Sequence, residues 1–214
     1  MVASRASGPL SAAPSVASIL EKVPELQSIA RIETVSPYAI DSADLSLDHI
    51  RVLAETILSS REKYDGFVVI HGTDSMAYCA SALSFMLLGF AKPIIFTGSQ
   101  RPLQRIRTDA RRNLINAVEI ATSDIAETAI FFGDRLYRGN RTTKISNWKY
   151  DAFDSPNFPT LGQVGLDIEL SDDCRRPGEA FDPSFALDPS VFVLKIYPGI
   201  PVDSYFPLAL TKGK

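Results

Sequence analysis

Gly66-Phe67-Val68-Val69-Ile70-His71-Gly72-Thr73-Asp74-Ser75 joins a short apolar run to a knot of small polar residues, and a helical pattern starts at once. An apolar run bounded in this way reads as a buried parallel strand. It delivers a hydroxyl and a carboxylate to a helix N-terminus, at the sheet edge where α/β proteins bind ligands. Gly72 permits a sharp turn or a close backbone approach. Thr73, Asp74 or Ser75 could also do no more than cap the helix. The neighbouring segments decide between capping and chemistry.

Outward from this stretch the same unit recurs. Toward the N-terminus, apolar positions predict a helix over Val16–Leu26, a strand over Ile29–Val35 and an amphipathic helix over Ser46–Ser60. Toward the C-terminus, a helix over Met76–Leu88 leads to a strand over Pro93–Thr97. A helix over Asp109–Ala121 and a strand over Thr128–Phe132 follow. Strand and helix alternating at this spacing predict an α/β fold, a parallel sheet with helices on both faces. After Asn140 the pattern weakens into a Pro-, Asp- and Ser-rich stretch, and only Val191–Ile196 reads as a further strand.

Composition narrows the function classes. Hydrophobic residues make up 45% and charged residues 22% of the 214, enough for an ordinary globular core. Lys and Arg total 22 against 25 Asp and Glu, a net charge of −3 that recruits neither nucleic acid nor a membrane surface. No apolar run is long enough to span a bilayer. Two cysteines without metal-ligand spacing, Cys79 and Cys174, suit a reducing cytoplasm. His49 and His71 are too few for a zinc site with no cysteine partner at ligand spacing. No phosphate-binding glycine motif occurs, so no nucleotide cofactor is expected.

In an open α/β sheet the loops at the strand C-termini share one rim. Asp41–Asp44, His71–Ser75, Gly98–Arg101 and the segment after Gly133 are expected there. The last of these brings Lys144. A Thr73, Lys144 and Asp74 trio suits nucleophilic chemistry, because a hydroxyl attacks weakly until a base takes its proton. Lys144 as a plain surface lysine is the alternative. Arg101, Arg105, Arg107, Arg111 and Arg112 read as a solvated face or a subunit contact.

Several colinear motifs carry a resemblance to a known family. They are Asp65–Tyr78 with Ala80–Leu87, Lys92-Pro93 through Thr97-Gly98-Ser99-Gln100, Arg135–Lys144, and Ile196-Tyr197-Pro198-Gly199-Ile200. In this order the chain resembles the L-asparaginases, most closely the type I, cytosolic branch. The resemblance implies a flavodoxin-like N-terminal domain and hydrolysis of the L-asparagine side-chain amide to aspartate and ammonia, without metal or cofactor. It implies that Thr73 is the second catalytic threonine, that Asp74 holds the substrate's α-ammonium and that Lys144 activates the threonine pair. Asp41, Ser42 and Ala43 would grip the α-carboxylate end, and Ser99 would offer a backbone contact to the amide. Homo-oligomers are implied for a full-length protein.

The chain also departs from the family pattern. The first-strand signature Thr-Gly-Gly-Thr-Ile-Gly-Met, which carries the nucleophilic threonine, does not occur in it. The expectation is therefore an N-terminal domain over residues 1–195 lacking its first central strand, and the start of an interdomain linker over 196–214. Such a chain is expected to be a truncated form with little or no activity. Two other readings share the motifs: the amidase subunit of a tRNA-dependent amidotransferase, and a non-catalytic amino-acid-binding pseudoenzyme.

Overall fold

The computed structural model of the chain describes residues 17–178, 180–191 and 193–200. It divides into two compact units, one ending at Ser184 and one beginning at Phe185. The first unit is built on a six-stranded sheet. Its parallel part comprises β1 (Phe67–Ile70), β3 (Ile94–Thr97) and β4 (Thr128–Phe132). The register sets Val69 beside Phe96 and Phe96 beside Ile130. β5 (Arg135–Arg138), β8 (Gly162–Val164) and β9 (Ile168–Leu170) extend it antiparallel. The sheet is thus mixed, not wholly parallel as its regular βα spacing predicts.

The extension begins at a two-residue turn. Gly133, at φ +66°, and Asp134 join β4 to β5, so the segment after Gly133 opens as a hairpin. A lone positive φ at the first turn position is the type II′ pattern, whose twist suits a hairpin. Gly-Asp between two strand-forming runs is a hairpin signal in its own right, although the polar residues beyond it hide the strands. Two minor pairs complete the strands among the described residues. β2 (Leu87–Leu88) pairs with β10 (Asp182–Pro183), and β6 (Thr143–Lys144) with β7 (Phe153–Asp154). The helix predicted through Leu88 accordingly ends at Met86.

Helices cover both faces. α5 (Ala110–Ile120) lays Ala117 and Ile120 against Ile95, Ala129 and Phe131 of the sheet, with Ile125, Leu136 and Leu161 closing that core. Strand alternation sends Ile94, Phe96 and Ile130 to the opposite face, where α4 (Met76–Met86) packs with α3 (Leu47–Ser59) on its flank. Ser46 caps α3 by accepting from the His49 amide at 3.4 Å, while His49 Nδ1 accepts from the Ser46 amide at 3.1 Å. A histidine here fills the place of the usual Glu or Gln in a capping box.

Three sequence expectations fail. The helix expected over Val16–Leu26 is two short ones, α1 (Ala17–Leu20) and α2 (Leu26–Ile29), with Val16 outside the described residues. Pro24 supplies no amide hydrogen and disfavours helix at Val23, which breaks the run. Ile29–Val35 forms no strand; Ile29 and Ile32 pack instead on a cluster of Val23, Leu26, Leu114 and Val118. Val191 and residues 193–196 likewise form no strand, and Phe192 lies outside the described residues. An isolated extended segment has no ladder to join, and its backbone groups are better served by water.

β1 also departs from expectation. Among the described residues β1 has one neighbour, β3, so it is an edge strand. Phe67, Val68 and Val69 are only half-buried and Ile70 is exposed, whereas every residue of β3 is buried. The expectation of a fully buried strand therefore holds for β3 and fails for β1. No helix among the described residues is long and apolar enough to cross a membrane.

The antiparallel extension is locked by a buried ion pair. Arg138 Nη2 donates to Glu127 Oε1 at 2.6 Å and to the Asp173 carbonyl at 2.8 Å, with side chains 13% and 2% exposed for Arg138 and Glu127. The Arg175 amide donates to the same Oε1 at 2.9 Å. The Arg138 guanidinium also lies over the Phe158 ring, 4.4 Å from its centroid. Removing one partner strands the other charge in the interior. Glu127→Ala is expected to lower unfolding free energy by about 3–5 kcal/mol in urea titrations.

Candidate active site

The ends of β1 and β3 are held together before any side chain is considered. The His71 amide donates to the Thr97 carbonyl at 2.8 Å, and Gly98 lies so close to His71 that a Cβ there would sit 2.2 Å from its carbonyl oxygen. Gly72 makes a second close approach, to Ser42: a Cβ would fall 2.5 Å from Ser42 Oγ. That contact brings Ser42–Asp44, a single 3₁₀ turn, onto the rim. Asp41 caps the turn by accepting from the Ala43 amide at 3.0 Å.

Ser42 is then fixed from both sides. Its Oγ accepts from the Asp74 amide at 3.4 Å, and its carbonyl accepts from Ser75 Oγ at 2.5 Å. Ser75 stands at the N-cap of α4 yet makes no side-chain cap bond. Its hydroxyl serves the tertiary contact. Capping is therefore not what the Thr73–Ser75 cluster does.

Lys144 reaches this rim by an indirect path. β5 runs down the sheet, a 3₁₀ turn at Gly139–Arg141 packs along α4, and β6 brings the chain back. Lys144 Nζ lies 2.8 Å from Thr73 Oγ1 and 2.7 Å from Asp74 Oδ1. The Lys144 side chain is 14% exposed, so it is no surface lysine, while that of Asp74 is 61% exposed. Thr73 is buried. The structure thus gathers Thr73, Asp74 and Lys144 into one cluster, with Ser42 directly beneath Asp74. Asp41 and Ala43 lie exposed on the adjoining turn, and half-buried Ser99 sits in the loop after β3.

The sequence assigns no role to three polar residues of the site, although Gln100 lies in a loop expected on the rim. Gln100 Oε1 accepts from Thr73 Oγ1 at 3.3 Å, and its Nε2 donates to the Ser146 and Lys149 carbonyls at 3.3 and 3.0 Å. Asp109 accepts from the Gln100 and Arg101 amides at 2.9 and 3.1 Å. Asn113, fully buried, donates to the Gly98 carbonyl at 2.9 Å and to Asp109 at 3.2 Å. The available signal was the polar pair Asp109 and Asn113, spaced i, i+4 on a helix face otherwise filled by Leu114, Ala117 and Val118. Of the arginine cluster, Arg111 pairs with Glu25 and Arg112 with Asp134 at 3.2 Å, so both fasten α5 to its surroundings.

Comparison with known proteins now places the chain. A family model described as Asparaginase, N-terminal, matches residues 1–175. The chain belongs to the asparaginase family. It is 46% identical over 168 residues to L-asparaginase 1 of Escherichia coli (strain K12), an alignment covering 77% of this chain and 49% of that protein. It is 36% identical over 207 residues to one component of the glutamyl-tRNA(Gln) amidotransferase of Thermococcus kodakarensis, covering 90% of this chain and 47% of the relative. The crystal structure of L-asparaginase I from Vibrio cholerae O1 biovar eltor str. N16961 superposes with a TM-score of 0.80 at 38% identity, covering 90% of this chain and 61% of that one. The chain spans about half the length of these curated relatives. The flavodoxin-like α/β expectation agrees with this asparaginase fold.

His71 stands beside the cluster without joining it. Its Nδ1 lies 2.7 Å from the Gly72 carbonyl, and its ring centroid is 6.0 Å from that of Phe96. Burial depresses its pKa, only partly offset by the bond to Gly72. A folded-state pKa below the unfolded one means that the unfolded chain takes up the proton first as pH falls. The stability His71 contributes is present above about pH 6.5 and is lost as pH falls through its folded value. In urea titrations across this range, the midpoint of His71→Asn should fall less with decreasing pH than that of the parent.

Proposed function

We propose that this chain supplies the Thr73–Lys144–Asp74 part of an amidohydrolase site that converts L-asparagine and water to L-aspartate and ammonia. One observation carries the reading: a nearly buried lysine bonded at once to a buried threonine hydroxyl and a rim carboxylate. Amide hydrolysis needs a hydroxyl whose proton can be handled by a neighbouring base, and Lys144 is placed for that work. Asparagine is zwitterionic, so its site also needs an anion for the α-ammonium. Asp74 bonds Lys144 through Oδ1 and remains largely open to solvent, which leaves it free to take that charge. For the α-carboxylate end we assign the turn of Asp41, Ser42 and Ala43, and for the amide the backbone at Ser99. The buried free thiols Cys79 and Cys174 suit a reducing, cytoplasmic setting.

The similarity to an amidotransferase component over 90% of the chain supports a second reading, an amidase acting on asparagine for a tRNA-linked acceptor. Stoichiometric tRNA binding that weakens with salt would favour it.

Of the threonine pair that the family resemblance implies, the 214 residues carry Thr73 and no Thr-Gly-Gly-Thr segment. A purified polypeptide of this sequence is expected to bind asparagine in calorimetry and to release ammonia slower than its longer relatives by a factor on the order of 10³ or more. Asp74→Asn should weaken that binding by roughly 10- to 100-fold, the worth of one charge-assisted hydrogen bond. Unchanged affinity in a folded Asp74→Asn chain would remove Asp74 from the ligand site and the proposal with it.

A further inference from the structure

Gln100 stands between Thr73 and the segment that follows Lys144. Its Nε2 faces two backbone carbonyls, Ser146 O at 3.3 Å and Lys149 O at 3.0 Å. Carbonyls only accept, so the amide NH₂ must point at them and Oε1 must point the other way. On that other side stands Thr73 Oγ1, at 3.3 Å. An amide oxygen only accepts, and therefore the Thr73 hydroxyl donates to it. The Lys144 ammonium carries donors alone, so its 2.8 Å contact engages a lone pair of Thr73 Oγ1. The two contacts agree on one position for one proton.

We propose that Gln100 is the positioning residue for Thr73, holding the hydroxyl proton on the side away from Lys144 until Lys144 is deprotonated. Its use in catalysis rests on the amidohydrolase reading above; the geometry stands without it. While Lys144 is an ammonium it cannot accept, and Gln100 is the acceptor that keeps the buried hydroxyl satisfied. Were Nζ to give a proton to Asp74 Oδ1, 2.7 Å away, rotation about the Thr73 Cβ–Oγ1 bond would swing the hydroxyl proton to Nζ with no heavy atom displaced. The longer contact, to Gln100, is the one that must break.

The same side chain also sets the spacing of the pair. Ser146 and Lys149 belong to the segment that follows Lys144, where Ser146 Oγ accepts from the Trp148 and Lys149 amides at 3.3 and 3.1 Å. The backbone of Gln100 is anchored through its own amide to Asp109, at 2.9 Å. One amide therefore ties the lysine-bearing segment to the threonine, and α5 holds that amide in place. Gln100→Leu keeps the bulk and loses the acceptor. Gln100→Glu is the conservative probe: the neutral acid can donate to a carbonyl and accept from Thr73, whereas the carboxylate would face two carbonyls.

The test is proton NMR of the 214-residue chain, with the Thr73 hydroxyl resonance assigned by its loss in Thr73→Val. Gln100→Leu should accelerate exchange of this proton with water by about tenfold, the worth of one hydrogen bond. Gln100→Glu should protect it below the carboxyl pKa of about 4.3 and release it above. Equal exchange in the parent and a folded Gln100→Leu, or no pH dependence in Gln100→Glu, would overturn the assignment. Should Gln100→Leu fail to fold, the Gln100→Glu titration decides alone. If the exchange results hold while calorimetry finds no asparagine binding, the amidohydrolase reading fails and the orienting role stands.

Discussion

The Lys144 ammonium is the point on which the site depends. A cation with a side chain 14% exposed cannot stay in that position unless its charge is matched and its donors are used. Thr73 Oγ1 and Asp74 Oδ1 provide both, and in doing so they join β6 to the turn that follows β1. Asp74 is 61% exposed, so this ion pair adds little to global stability. Its effect is positional. It fixes where the chain returning from the antiparallel strands meets the parallel part of the sheet.

That meeting is possible only because the backbone beneath it is packed without side chains. Gly72 and Gly98 approach Ser42 and His71 too closely for any Cβ, and the three segments form one sheet of polar loop. α5 then stiffens the layer from behind, since Asp109 takes two consecutive loop amides and Asn113 takes the carbonyl before them. Hydroxyl and carboxylate are thus carried on backbone packed against rigid elements and in turn hold the ammonium, an arrangement that keeps all three within tenths of an ångström of one geometry.

What could be read from the sequence followed physical range. Gly66–Ser75 announced strand, turn and helix because apolar run, glycine and periodic helix are local signals. Thr73, Asp74 and Lys144 come together through the shared sheet rim as well as the colinear motifs, although 71 positions separate threonine from lysine. The antiparallel strands after Gly133 were missed because each is only two to four residues long and polar on one face. Ile29–Val35 was misread because its composition favours a strand, but composition does not supply a neighbour. Gln100 escaped because its meaning lies in carbonyls 46 and 49 residues further on, and backbone acceptors leave no trace in side-chain patterns.

The exposure gradient across the cluster bears on what the site is for. If Thr73, Lys144 and Asp74 served stability alone, burying all three would strengthen their bonds, and the carboxylate would be the group most in need of cover. The opposite is found: the hydroxyl is buried, the ammonium nearly so, and the carboxylate stands open beside an exposed turn that carries Asp41 and Ala43. A proton passing between hydroxyl and amine benefits from exclusion of water, because competing acceptors are removed and the electrostatic coupling rises. A carboxylate that must meet an incoming charge has to remain accessible. Dry proton-handling groups beneath a wet anchor are the order that a small zwitterionic ligand, entering from the rim, would require.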